Sequence, residues 1–381
     1  MDTRFNGEQL KRARIYRGYT VAELAEEVGC QRQTLSMYEI SKSQPADYEI
    51  VKKLSKALNF PIKFFYEGFT LNTTGTVYFR SLLTTNKKYR NEQIVKIGII
   101  AQIYSLLQDY IKFPDFESLK TSDCVTPEEA ASKLREKWGL KQEPIQNIVS
   151  LVEQHGILVT SFHTGTDDVD AFSKFVEIGD SRTYLIAYSN NKTSASRIHF
   201  DVAHELGHIY LHEWSDDIEM LSKEEFKERE HQANDFASAF LLPSEAFRKD
   251  AQSGPQTIPY YKQLKKKWRV SIAAMIRRAE SLGVMSSEQY QILMKTMQRR
   301  GIRKEEPLDD VLITSAPALL KMSIMMLLQE QIFTPQEFME ELSDQYGLSI
   351  NPEEIEYLFD LPSGLLAPPK IINFGNISLK P

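Results

Sequence analysis

Cysteine is scarce in this chain: Cys30 and Cys124 are the only two among 381 residues. Two thiols cannot build a disulfide framework, and their scarcity points to a reducing compartment. An apolar leader is also missing, since Met1-Asp-Thr-Arg-Phe-Asn6 carries charge where a signal sequence would be hydrophobic. No apolar run reaches the roughly 20 residues that a membrane-spanning helix requires. These absences exclude a disulfide-stapled secreted class and a membrane protein, so a cytoplasmic protein with no membrane partner is expected. What is present suits a folded chain: 42% of residues are hydrophobic, and the length allows two or three domains. The net charge of −6 is unevenly spread, because residues 1–66 carry 11 Lys/Arg against 8 Asp/Glu and so leave −9 for the remainder. A basic head on an acidic body confines any nucleic-acid contact to the head.

The chemistry centres on His199-Phe-Asp-Val-Ala-His204-Glu205-Leu-Gly-His208-Ile-Tyr-Leu-His212, which contains H-E-x-x-H. A helix turns about 100° per residue, so positions i and i+4 share a face. His204 and His208 can therefore aim two imidazoles at one point, two-thirds of a catalytic zinc site with its three protein ligands and one open position. Glu205 stands beside the first of them, where a carboxylate can take a proton from a water acidified by the metal. The plain alternative is a helix with two surface histidines. Val202, Ala203, Leu206, Ile209 and Tyr210 argue against it, because they make the helix a buried one, where an unpartnered histidine pair is costly.

The third ligand comes from outside the motif. The next helix, Glu228 to Pro243, opens its apolar face at Glu230, with Ala233, Ala237 and Phe240 following at helical spacing. A carboxylate there can cross to the histidine pair. His231 and His212 are the alternatives, with His212 one turn beyond His208 and expected behind the ligands or at the surface. The extended H-x-x-G-x-x-H pattern is absent, for Leu211 and Trp214 occupy the places of its glycine and last histidine.

H-E-L-G-H-x-x-x-H followed by E-x-x-A-N-x-F-A-x-x-x-L-L-P resembles the ImmA/IrrE family of zinc metallopeptidases. Ala131 to Leu140, Pro144 to Ile148, Gly156 to Val159 and Arg197 share the likeness, which extends over residues 125–310. The resemblance implies a zincin-like domain holding Zn²⁺, or Mn²⁺ in its place. It also implies Glu230 as third ligand and Glu205 as general base.

Residues 6–66 read as five helices. Asn6 caps the first, with Gln9 at the capping-box position, and Thr20 caps the second with Glu23 completing the box. Gly29 closes the second helix, and a third starts near Gln31, giving the parts of a helix-turn-helix. The stretch Gly18 to Glu39 resembles the XRE-type, phage-repressor-like family. That likeness implies a double-stranded DNA operator, with Arg32, Gln33, Ser36 and Met37 facing base edges. Thr34 and Thr20 would hold phosphates, and Arg14 and Glu39 match a structural ion pair. A helical adaptor that docks protein is the alternative.

Between the two lies a connector, residues 69–125, whose Glu92 to Tyr110 reads as a long helix with a wide apolar face, for core packing or a dimer seam. A Thr126-Pro-x-Glu129 start opens the next helix, and Ile157–Phe162, Ala171–Ile178 and Thr183–Tyr188 read as strands with a turn at 179–182. The exposed edge of such a sheet can hold an extended substrate by strand addition. Tyr184, Tyr188 and His231 are candidates for an oxyanion partner. The basic run Lys262–Arg269 reads as a solvated helix face in preference to a DNA contact. Near the C-terminus, Thr334-Pro-x-Glu337 and Asn351-Pro-x-Glu354 are two more helix starts. The Met-rich stretch Lys321–Leu328 reads as core, with a docking surface as the alternative.

The expected architecture is thus α+β and predominantly helical. It has a helix-turn-helix head at 1–68, the connector at 69–125, a metallopeptidase-like domain at 126–310 and a helical region at 311–381. The expected function is a transcriptional regulator whose zinc endopeptidase cleaves a repressor- or antitoxin-type protein, or the chain itself, in a stress or phage-related response. The alternative is a repressor or antitoxin whose metal domain only senses or stiffens. Symmetric half-sites would favour a homodimer.

Overall fold

A computed structural model of the protein describes residues 4–45, 47–68, 77–79, 87–119, 126–162, 171–178, 181–191, 194–212 and 221–367. Cys124, the turn residues 179–180 and Trp214 lie outside them. In chain order come α1 (Gly7–Tyr16), α2 (Val21–Val28), α3 (Arg32–Glu39), α4 (Tyr48–Leu58) and a 3-10 turn (Ile62–Tyr66), then β1 (Val77–Phe79) and α5 (Lys87–Tyr110). Next are α6 (Pro127–Lys137), α7 (Ile148–Gln154), β2 (Leu158–Phe162), β3 (Ala171–Ile178), β4 (Ser181–Ser189), α8 (Ala195–Leu211) and α9 (Lys223–Leu241). The rest is helical: α10 (Ser244–Gln252), α11 (Ile258–Trp268), α12 (Ile272–Ser281), α13 (Ser287–Arg299), α14 (Leu319–Gln329), α15 (Pro335–Asp344) and α16 (Pro352–Leu358). The fold is α+β and mostly helical. Among the described residues no helix is long and apolar enough to cross a membrane.

The chain divides into two compact units. One combines residues of Met1–Thr70, Asn91–Ile111 and Lys321–Pro381; the other combines Leu71–Arg90 with Lys112–Leu320. The expected connector is thus shared between them.

In the first unit, the head packs Leu10, Ala13, Leu24, Leu35, Leu54, Leu58, Phe60, Phe64 and Phe65 into one core. The α2–α3 turn is made by Gly29, whose φ of 77° lies where a side chain would be strained. Thr20 and Glu23 close the capping box on α2. At α1, Asn6 accepts from Glu8 N, whereas Gln9 is buried and its carbonyl accepts from Arg12 Nη1 at 2.9 Å in place of closing a box. Arg14 grips Glu39 through two hydrogen bonds, 2.5 and 2.9 Å, as a structural pair. From Ile97 to Leu107 helix α5 is buried nearly all round, which makes it core.

The C-terminal helices belong to this same unit. Tyr16 Oη and Arg17 Nη2 both donate to the Glu354 carboxylate, at 2.8 and 2.6 Å. Glu67 accepts from Ser349 N at 2.9 Å, and Asn351 Nδ2 donates to Asn59 O at 3.0 Å. The two Pro-containing starts therefore differ in use. Thr334 and Glu337 cap each other, but the Asn351 side chain and Glu354 are committed to the head. Met322 and Met326 are exposed, contrary to the expected core role, because the buried face of α14 carries Leu320, Ile324 and Leu327.

In the second unit a four-stranded sheet runs β1-β3-β4-β2, with β3–β4 and β1–β3 antiparallel and β2–β4 parallel. β4 begins at Ser181, paired with Ile178, two residues before the expected Thr183. β1 falls in the expected connector, where three residues are too few to show a strand period. One face of the sheet and α6, α7, α8, α9, α11 and α12 enclose a core that includes Leu134, Val149, Ile186, Leu206, Phe240, Trp268 and Met275. The basic run on α11 is not uniformly solvated: Lys265 is fully buried, with Glu306 at 2.8 Å and Asp309 at 2.7 Å. Glu306 in turn accepts the first amides of α12, and Asp309 accepts from Ser194 and Ser196 at the start of α8.

Candidate metal centre

Helix α8 carries His204, Glu205 and His208 on its buried surface, none more than 1% exposed. Its approach to α9 is set by Gly207, where a Cβ would lie 2.9 Å from Ala233 Cα. Gly207 sits between the two histidines in sequence, and Glu230 precedes Ala233 by one helical turn on the facing side of α9. The close approach therefore delivers the carboxylate to the imidazoles. His204 Nε2 and His208 Nε2 lie 3.0 Å apart, and Glu230 oxygens lie 3.5 Å from the first and 3.2 Å from the second.

The outer nitrogens fix what the inner ones present. Asn234 Nδ2 donates to Glu230 O at 2.7 Å, which turns Asn234 Oδ1 towards His204 Nδ1 at 3.2 Å. Since that oxygen only accepts, the proton of a neutral His204 is on Nδ1 and its Nε2 offers a lone pair. Gln232 Nε2 is held by Glu228, so Gln232 Oε1 faces His212 Nε2 at 3.2 Å. His212 then carries its proton on Nε2 and accepts at Nδ1 from His208 Nδ1, 3.0 Å away. His208 too points a lone pair inward. Burial pushes His208 down to about 4 and His212 to about 3, keeping both neutral near pH 7. Burial alone would raise the Glu230 carboxyl; protonated imidazoles at His204 and His208 would hold it low, and with both rings neutral a cation between them would do the same.

Two lone pairs and an anion within 3.5 Å repel one another unless a cation lies between them. A tetrahedral ion with bonds of about 2.0–2.2 Å spaces its ligand atoms about 3.3–3.6 Å apart. The observed separations come within a few tenths of an ångström of that, so the residues fit Zn²⁺. Among the described residues, these three form the group able to hold a metal. His231 is not part of it: exposed on α9, it pairs with Asp235 at 3.0 Å. Neither is His212 a ligand, for it holds His208 from behind.

Glu205 is reached by a residue that sequence reading missed. Ser173, wholly buried on β3, donates its hydroxyl to Glu205 Oε2. The available signal was one small polar residue between Phe172 and Lys174 on an otherwise core-like strand. Of the oxyanion candidates, Tyr188 is buried in the core, which pushes its phenol up, and Tyr184 packs edge-on against Phe116 at 4.8 Å. Arg197 donates to Lys304 O.

On the head, Arg32, Gln33 and Ser36 of α3 are exposed, while Thr34 and Met37 are half-buried. Arg32 and Gln33 occupy the N-terminal turn of α3, and Thr20 stands exposed at the start of α2. Cys30 is half-buried in the turn between these helices.

Comparisons with known proteins match two separate stretches of the chain. Residues 152–280 match the IrrE N-terminal-like domain, a peptidase family designated M78, and residues 10–65 match the helix-turn-helix family. A 62-residue stretch is 37% identical to the SPbeta prophage-derived uncharacterized HTH-type transcriptional regulator YonR of Bacillus subtilis (strain 168). That likeness covers 16% of this chain and 56% of the relative, so the chain spans little more than half the relative's length.

Proposed function

From a chain that joins an XRE-type helix-turn-helix to an IrrE N-terminal-like domain, we infer a DNA-binding transcriptional regulator that is also a metal-dependent endopeptidase. Its substrate is a repressor- or antitoxin-type protein, or the chain itself. The observation that carries this reading is the convergence of two inward-facing imidazole lone pairs and one carboxylate, with a second buried carboxylate beside them.

His204, His208 and Glu230 would hold Zn²⁺ or Mn²⁺. Such an ion supplies Lewis acidity, bringing the pKa of water towards neutrality and polarising a carbonyl. The remaining steps belong to the chain. Glu205 takes the proton of the attacking water and gives it to the amine nitrogen as the C–N bond breaks. Ser173 fixes one Glu205 oxygen in place, and Asn234, His212 and Gln232 keep the ligand tautomers. A site that served structure alone would close with a fourth protein ligand and would not need a buried carboxylate next to it. On the head, Arg32 and Gln33 would read base edges, with Ser36 and Met37 alongside, and Thr20 and Thr34 would take phosphates.

Glu205→Gln is the decisive variant. With Zn²⁺ loaded and candidate repressor added, the native chain should yield a chelator-sensitive fragment. The variant should bind metal equally and yield none. Equal cleavage by the variant removes Glu205 from the mechanism. Retention on operator DNA should fall steeply with salt; retention that ignores salt would favour a protein-docking head.

A further inference from the structure

Ser173, the residue that holds Glu205, is the third of the eight residues of β3. One edge of β3 is paired along its full eight residues with β4. An extended peptide that pairs with β3 itself must use the other edge. That edge is taken by the chain's own β1, antiparallel, in the register Val77↔Lys174, Tyr78↔Ser173 and Phe79↔Phe172. Tyr78 therefore lies directly across from the residue that orients Glu205. β1 comes from before residue 152, outside the stretch that matches the peptidase family, and from beyond the end of the head at Thr70. It belongs to the peptidase unit although sequence order puts it between the two.

We propose that β1 is an internal occupant of the substrate's strand position, so that the chain keeps its own peptidase site covered until β1 is displaced. The proposal rests on the peptidase reading. β1 pairs with three of the eight β3 residues, and each ladder bond adds little once the water it displaces is counted. A segment able to pair with twice as many β3 residues gains more than β1 loses. The occupant is thus strong enough to exclude short, casual peptides and weak enough to yield to a longer matching segment.

The test uses the full chain carrying Glu205→Gln, so that binding is read without turnover. A fluorescent peptide with the sequence of residues 74–83 is titrated in the presence of Zn²⁺ and followed by anisotropy. Ladder N–H groups alternate along a strand, so proline is placed in both phases, as Tyr78→Pro and as the double variant Val77→Pro/Phe79→Pro. At least one should bind the peptide tenfold or more tighter than the chain with native β1. Equal binding by all three proteins, or no binding by any, overturns the proposal. Should proline unfold the unit, judged by far-ultraviolet circular dichroism, a Gly/Ser replacement of residues 74–83 takes its place. A separate sample with Glu205 intact is incubated with Zn²⁺ and weighed by mass spectrometry. It should stay whole between residues 70 and 90; a Glu205-dependent cut there makes β1 a substrate and overturns its role as a cover. A chain that cleaves nothing under any condition sinks the peptidase reading and leaves the binding result standing, so the two failures are separable.

Discussion

His208 and His212 face each other through their Nδ1 atoms at 3.0 Å, and His212 passes the interaction on to the Gln232 carbonyl. One histidine thus fixes which nitrogen of the other faces Glu230. Replacing His212 by Phe keeps the ring and removes both hydrogen bonds. Zinc affinity, measured by chelator competition, should fall by about 10- to 100-fold while the helical circular dichroism signal is kept. Unchanged affinity would mean that His208 orients itself.

Gly207→Ala should act on the same centre from the other side. The added methyl would meet Ala233 Cα at 2.9 Å and Ala233 O at 3.0 Å, both backbone atoms that cannot swing away. The helices must separate, at a cost of about 1–3 kcal/mol for overpacking, and Glu230 moves away from the imidazoles with them. Urea denaturation and zinc titration should both shift. A variant with native affinity would show that Glu230 follows the histidines by bending elsewhere.

The two parts of this centre were not equally legible in the sequence. His204, Glu205 and His208 are readable because one helix places them and helical period is fixed. Glu230 is readable as a polar residue opening an apolar face, while the choice among it, His231 and His212 depends on how α8 and α9 cross. Ser173 was invisible for a related reason: a serine on a strand says nothing until the strand has a neighbour. β1 has too few residues to show a period at all. Lys265 looked like part of a solvated run because its partners, Glu306 and Asp309, lie about 40 residues away in sequence. The helix-turn-helix is legible almost throughout, because it is made of local caps and one glycine turn.

His199 offers a pH experiment. It is fully buried, and among the described residues neither ring nitrogen has a hydrogen-bond partner. Burial, assisted by the Arg269 charge, pushes the imidazole from 6.5 to about 3. Between those values the unfolded chain binds a proton that the folded chain refuses. Stability therefore rises with pH across this window and is lost as pH falls from 6.5 towards 3. The slope from one such group approaches 1.4 kcal/mol per pH unit, roughly, in mid-window. His199→Leu should narrow the gap between urea midpoints at pH 7 and pH 5. An unaltered gap would show that His199 is protonated in the folded chain.

Glu354→Ala should loosen the first unit. The carboxylate accepts from Tyr16 and Arg17 in a mostly buried place; its loss leaves the Tyr16 hydroxyl without its acceptor and Arg17 with Leu58 O and Asn59 O alone, at about 1–3 kcal/mol. Thermal unfolding of the head should begin earlier, while operator affinity at low temperature should hold, because Arg32 and Gln33 are on other elements. Native unfolding would show that water replaces the carboxylate without loss.

The way the first unit is assembled has a bearing on what a cut between head and peptidase could achieve. Its helices come from three stretches, 1–70, 91–111 and 321–381, fastened by Arg12–Gln102, Arg17–Glu354 and Glu67–Ser349. Scission anywhere in residues 71–90 severs the polypeptide and leaves every one of those fastenings intact. The products would travel together on a sizing column and part only in denaturant, so a nicked regulator would keep its helix-turn-helix until the pieces are pulled apart.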